Sequence, residues 1–108
     1  MEVKRIFDLL SNYVENFPNQ AVALAGKKNG EWRKYGIQEY IESVDKLSYA
    51  LIELGIRKED KVAMILNNRP EWNFMDMGIM MAGMVHVPVY PSLNADDYRY
   101  ILNHSDAK

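Results

Sequence analysis

The chain predicts an α/β fold, with helices flanking a partial parallel sheet and a β-hairpin beside it. Three observations carry that expectation. Apolar residues recur at helical spacing through Ile37, Tyr40, Ile41, Val44, Leu47, Ala50, Leu51 and Leu54. An unalternating run, Val62-Ala63-Met64-Ile65-Leu66, follows a short polar turn, and a second run, Val85 to Val89, follows an apolar segment of helix length. A period of about 3.6 residues marks an amphipathic helix, whereas short continuous apolar runs suit strands buried on both faces of a parallel sheet. Strand, helix, strand, helix in this spacing is a right-handed βαβ unit.

Val3, Ile6, Phe7, Leu10, Tyr13, Val14 and Phe17 stand at helical spacing, with Pro18 as a stop. The apolar run Ala21 to Ala25, the turn chemistry Lys27-Lys28-Asn29-Gly30 and the segment Glu31-Trp32-Arg33-Lys34-Tyr35 predict a hairpin. Gly55 is placed to end the second helix in a left-handed conformation, with Ile56 closing a Schellman contact. Pro70 suits the first turn of a third helix, which Trp72, Phe74, Met75, Met77, Ile79, Met80, Met81 and Met84 leave apolar nearly all round. Pro88 confines its strand to a position where one backbone N–H is not needed. Asn94 is a good N-cap, Asp96 and Asp97 favour the helix dipole, and Leu93 with Tyr98 forms a hydrophobic staple for a last helix running to about Asn103.

At 108 residues the sequence fits one domain, able to bury roughly 65% of its unfolded surface. Hydrophobic residues make up 48% and charged ones 26%, a composition that folds. Lys27 with Lys28, and Arg57 with Lys58, are too short and too diluted by other residues to recruit nucleic acid, and the formal charge is −2. With no cysteine, disulfides and thiolate metal sites are excluded, which suits a reducing cytoplasm. The start reads as an amphipathic segment rather than a signal peptide. The tract from Met77 to Val89 is broken by Gly78, Gly83, His86 and Pro88, far short of the roughly 20 residues a membrane span needs.

A search for chemistry yields little. His86 and His104 lack metal-ligand spacing; His86 is expected to be structural or partly exposed, and His104 to interact with a helix dipole. Gly78 and Gly83 are followed by Met84 where a phosphate loop needs Lys, so close helix packing explains them better. Asp96 and Asp97 read as helix-end charges and the methionines as core filling. Asn67-Asn68-Arg69 fall at the carboxyl end of a presumed parallel strand, where open α/β sheets bind ligands, although a loop needing turn residues and a helix cap explains the same three residues and is the favoured reading.

Leu54-Gly55-Ile56-Arg57-Lys58-Glu59-Asp60-Lys61-Val62-Ala63 resembles the "helix, Gly, polar turn, Asp, basic, Val" passage of the adenylate-forming superfamily, which includes acyl-CoA synthetases, luciferases and peptide-synthetase adenylation domains. Asn68-Arg69-Pro70-Glu71-Trp72 resembles that family's Asn-Arg-Pro-Glu-Trp, and Ala82 to Pro91 its Ala-Gly-small-x-x-Val-Pro segment. Phe17-Pro18-Asn19-Gln20-Ala21, then Trp32, Tyr35 and Tyr40, are similar to the family's opening, with Gly36 where Thr or Ser is usual. Tyr90-Pro91 and the stretch Asp96 to Lys108 look like bacterial long-chain fatty acyl-CoA synthetases.

The resemblance implies the amino-terminal portion of the adenylate-forming fold, with residues 1–108 forming one domain. It implies a full enzyme that joins a fatty acid to ATP, with Mg, as an acyl-adenylate and then transfers the acyl group to CoA. The family's phosphate loop, ribose-binding acid, adenine-stacking aromatic and carboxy-terminal lysine have no counterparts among the motifs matched. The expectation is therefore no catalytic, cofactor-binding or metal-binding residue in this chain, and no activity from it alone. Its partners are the remainder of a parent chain, with self-association where that remainder is missing. The setting is cytoplasmic, with peripheral membrane contact left open for the full enzyme. The alternative is a freestanding, non-catalytic binding module with the same fold.

Overall fold

A computed structural model describes residues 2–108. Its elements alternate in the order α1 (Asp8–Asn16), β1 (Leu24–Lys28), β2 (Glu31–Tyr35), α2 (Ile37–Glu53), β3 (Lys61–Ile65), α3 (Pro70–Met81), β4 (Val85–Val89) and α4 (Ala95–Ser105). β1 and β2 pair antiparallel, β3 and β4 pair parallel, and α3 makes the crossover between the latter two. The α/β class, the hairpin and the strand–helix–strand unit all stand as the sequence predicts.

The first helix is shorter than its apolar spacing suggests. Val3 and Ile6 are exposed, and the helix begins only at Asp8. The cause is local: the Asp8 carboxylate accepts the backbone N–H groups of Lys4 (3.2 Å) and Arg5 (2.9 Å) and the Arg5 guanidinium (2.7 Å), closing a tight turn ahead of the helix. The side-chain hydrogen bond from Arg5, then its backbone N–H, lower the nearly buried carboxyl from 3.8 to about 2. Because the folded pKa lies below the unfolded one, the stability this carboxylate adds is complete above 3.8 and is lost as pH falls towards 2. Asp8→Asn is therefore expected to be the less stable chain at neutral pH. Urea midpoints of the two chains should converge over that acid window, and a constant gap would refute the assignment.

The hairpin turns on two residues. Asn29 (φ 54°) and Gly30 (φ 80°) both adopt left-handed backbone, the type I′ geometry that matches strand twist, and this fixes Lys28 opposite Glu31. Lys27 and Lys28 accordingly belong to β1 rather than to the turn, and the strand starts at Leu24 rather than Ala21. Gly26 lets β1 lie on the start of α3, since a Cβ there would meet Pro70 Cδ at 2.6 Å.

α2 and α3 end in the same way. Gly55 N–H bonds Ile52 O at 3.0 Å and Ile56 N–H bonds Leu51 O at 3.3 Å; likewise Gly83 N–H bonds Met80 O at 3.0 Å and Met84 N–H bonds Ile79 O at 3.1 Å. Both glycines have positive φ (90° and 79°), so these are two Schellman closures. Their apolar ends, Leu51 with Ile56 and Ile79 with Met84, meet in one buried cluster with Val62. Gly83 is thus a helix stop, and of the two glycines expected to permit close packing only Gly78 does so. A Cβ on Gly78 would lie 3.2 Å from Leu47 Cβ and 3.3 Å from Val44 O, and its carbonyl accepts the buried Ser48 hydroxyl at 2.7 Å. Along the same crossing a second cluster joins Leu10, Ile37, Tyr40, Val44 and Phe74.

β3 departs from expectation. Side chains alternate along a strand, and Val62 and Met64 are buried while Ile65 is 47% exposed; on β4, Val85 is 46% exposed. α3 covers only the face shared by Val62, Met64 and their register partner His86. An unalternating sequence is compatible with two covered faces; on β3 only one of them is buried, whereas on β4 Val89, on the same face as Ile65, is buried as well. α4 adds little, as none of its residues is buried. Asn94 Oδ1 caps it by accepting Asp97 N–H at 2.9 Å, as predicted. At the staple position, Tyr98 works through its hydroxyl, which donates to Tyr90 O (2.8 Å) and accepts Leu93 N–H (3.2 Å).

Candidate functional site

The carboxyl ends of β3 and β4 open into a cleft of about 530 Å³, walled by Leu66, Asn67, Asn68, Trp72, Pro88 and Tyr90. Asn68 and Trp72 also line a neighbouring, more open depression of about 650 Å³ whose far side is the hairpin, with Lys27 and Trp32. The two form adjoining lobes around the entry to α3. The sequence-derived candidates Asn67-Asn68-Arg69 do sit where parallel strands end. They also begin α3: Arg69 is its N-cap, without a side-chain cap, and Pro70 its first residue.

His86 supports the wall of this cleft. Its side chain is 6% exposed, with Nδ1 2.7 Å from Asp76 Oδ1 and its ring edge-on to Trp72 at 5.4 Å. Nε2 is buried without a partner. The imidazole therefore fixes the α3–β4 contact behind Trp72 and is structural, one of the two expected outcomes. His104 stacks on Tyr100 (5.4 Å, 7°) in the last turn of α4, where a helix dipole favours it. Asp96 pairs with Arg99 at 2.9 Å. Met75, Met77 and Met81 pack against the buried clusters.

Chemically the cleft offers amides, two indoles, a proline-lined floor and few charges. Arg69 Nε lies 3.2 Å from Glu71 Oε2, and Glu71 is held below the ordinary carboxylate range first by its own backbone N–H and then by Arg69. Such a surface can stack and hydrogen-bond a ligand; it presents no paired nucleophile and base. Among the described residues no group of three His, Cys, Asp or Glu converges on a point where a metal ion could be held. No helix among them is long and apolar enough to cross a membrane. The hairpin side of the site escaped sequence reasoning because Lys27 and Trp32 become neighbours only through the register set by Asn29-Gly30.

Residues 10–108 match the family described as AMP-binding enzyme. The chain is similar to fatty acyl-CoA synthetase A of Dictyostelium discoideum, 32% identical over 84% of this chain and 14% of that protein. It is also similar to a 4-hydroxybutyrate–CoA ligase of Metallosphaera sedula, 36% identical over 69% of this chain and 14% of the relative. It thus spans about a seventh of the length of these relatives. The amino-terminal subdomain of Klebsiella oxytoca NpsA superposes with a TM-score of 0.84 over 98% of this chain and 26% of that one, at 24% identity, which shows a shared fold.

Proposed function

Since the chain belongs to the AMP-binding enzyme family, we propose that it is the amino-terminal portion of an ATP-dependent long-chain fatty acid–CoA ligase, and that it performs no step of that reaction alone. In this reading residues 1–108 are one piece of the large domain, and the substrates of the whole enzyme are a fatty acid, ATP with Mg, and CoA. The observation that carries it is the likeness to a fatty acyl-CoA synthetase across 84% of the chain. The role of these residues is then architectural: β3, β4 and the start of α3 form one wall of a cleft that other parts of the enzyme would complete.

A freestanding binding module with the same fold makes opposite demands on the surface. Here Tyr49, Ile52, Leu54, Ile65, Val85, Tyr90 and Tyr100 all remain exposed, more apolar surface than a self-sufficient module needs to present. The purified 108-residue chain should release no pyrophosphate above a blank with ATP, Mg and a long-chain fatty acid. It should also self-associate and bind an apolar fluorescent probe. Pyrophosphate release dependent on both substrates would refute the inactivity, and a monomer that ignores the probe would favour the module.

A further inference from the structure

We infer that two copies of this chain pair through the outer edges of their β3 strands, antiparallel about Ala63, to make one continuous sheet in the order β4–β3–β3–β4. The inference deepens the self-association expected above and rests on that reading; it adds the surface and the register. Backbone hydrogen-bonding groups turn to opposite sides at successive residues of a strand. Val85 N–H reaches Asp60 O at 2.8 Å, so the backbone groups of Asp60, Val62 and Met64 face β4 and those of Lys61, Ala63 and Ile65 face away. Among the described residues one hydrogen bond meets that outward row, from Lys108 N–H to Lys61 O at 2.8 Å. The remaining donors and acceptors are an open template for another strand. The other edges are blunted. On β4 the same alternation turns His86 and Pro88 outward, and Pro88 has no N–H to give. The hairpin strands carry Lys27, Lys28, Glu31, Arg33 and Lys34, charges of the kind that discourage pairing, whereas Lys61 is the single charged residue of β3.

Symmetry selects a second copy as the occupant. The outward groups lie at Ala63 and two residues to either side of it, so a twofold axis at Ala63 sets Ala63 opposite the partner's Ala63 and Lys61 opposite the partner's Ile65. Each of these is a pair of the type that exchanges both N–H···O bonds. No like charges stand opposite one another in this register, which is the charge pattern an antiparallel pair tolerates. Ile65, 47% exposed in the single chain, gains the aliphatic stem of the partner's Lys61 as cover while the ammonium stays in water. Ala63 at the axis is small enough for close approach. Lys108, held at the edge by its N–H and by a 3.3 Å ion pair with Asp60, yields its place on Lys61 O to the incoming strand. Since Pro88 stands on both outer edges of the four-stranded sheet, association stops at two.

Sedimentation velocity of the 108-residue chain over a range of concentrations reads the state directly, and a monomer–dimer equilibrium without larger species is expected. The register is tested at Ile65. Ile65→Lys places an ammonium opposite the partner's Lys61, whereas Ile65→Glu, equally polar at the same exposed position, places a carboxylate there. With that contact made twice in a symmetric dimer, the Glu variant should dimerise at least about tenfold more tightly than the Lys variant, and added salt should narrow the gap. Both variants should keep the circular dichroism of the parent chain. Omitting Lys108 should tighten the dimer, because the edge is then free. Equal dissociation constants for the two Ile65 variants, in a chain that still dimerises, overturn this inference and leave the self-association reading standing. A monomer at every concentration overturns both. Open-ended oligomers, or a dimer lost when Lys108 is omitted, overturn the closed β3 pairing alone.

Discussion

Phe74→Ala is expected to lower the stability of the chain by about 3–5 kcal/mol, the range for deleting a buried aromatic ring. Phe74 lies at the junction of three elements: its ring meets Tyr35 of β2 edge-on at 5.1 Å and Tyr40 of α2 at 5.6 Å, while its backbone belongs to α3. Aromatic pairs of this geometry contribute about 0.5–1.5 kcal/mol beyond area burial, so two are lost with the one ring. Removing the ring also takes away the aromatic contact by which the hairpin meets the core. Against a total of about 5–15 kcal/mol for a domain, a loss of this size leaves a substantial unfolded population. Urea titration followed by circular dichroism measures it. A loss below about 1.5 kcal/mol, the cost of a mere volume-conserving swap, would mean that the three rings do not form the junction.

The second large effect comes from adding atoms. Gly78→Val should cost about 3 kcal/mol, the upper end for overpacking. Two opposing terms act at this position. A side chain in place of Gly improves helix propensity by up to about 1 kcal/mol, most for Ala and less for β-branched Val. Against that, the new Cβ falls 3.2 Å from Leu47 Cβ and 3.3 Å from the Val44 carbonyl oxygen. Leu47 can shift its side chain slightly, but Val44 O belongs to the backbone of α2 and moves only with that helix. Separating the helices would also stretch the 2.7 Å bond from Ser48 Oγ to Gly78 O, a buried pair. Packing therefore wins. Gly78→Ala should lose about 1 kcal/mol because the propensity gain offsets part of the clash. Matching thermal melts of the two variants report the balance; a stabilised Gly78→Val would show that the α2–α3 crossing is looser than its contacts.

What the sequence disclosed depended on how local the physics was. Gly55 and Ile56 could be read as a Schellman closure because the apolar period before them ends cleanly. Gly83 and Met84 make the same closure, but they lie inside an apolar stretch whose spacing hides the end of α3. The Asn94 cap was legible for the same local reason, whereas the Tyr98 hydroxyl, two hydrogen bonds reaching back to Tyr90 and Leu93, was hidden behind an apolar reading of its ring. The second face of β3 could not be read at all, since its covering depends on residues distant in sequence. The same distinction holds at the cleft. Asn67-Asn68-Arg69 followed from the general placement of ligands at strand ends, but Trp32 joined them only through a cross-strand register. His86 gave no sign of Asp76, ten positions earlier, because a strand and a helix must pack before the two meet.

The parallel pair is not held equally at its two ends. At the amino end, Glu59 N–H bonds Gly83 O and Val85 N–H bonds Asp60 O, both at 2.8 Å, while the two Schellman closures tie the same turns to a buried cluster. At the carboxyl end, no backbone hydrogen bond among the described residues links the loop after β3 to the loop after β4, and Tyr98 steadies only the latter. The strands are therefore anchored like a cantilever. Amplitudes on the picosecond–nanosecond scale are expected to rise from the fixed end to the free one, so that NMR order parameters should fall along each strand towards Asn67 and Tyr90. The walls of the cleft can adjust to an occupant by small displacements while the register of β3 and β4 stays set from behind.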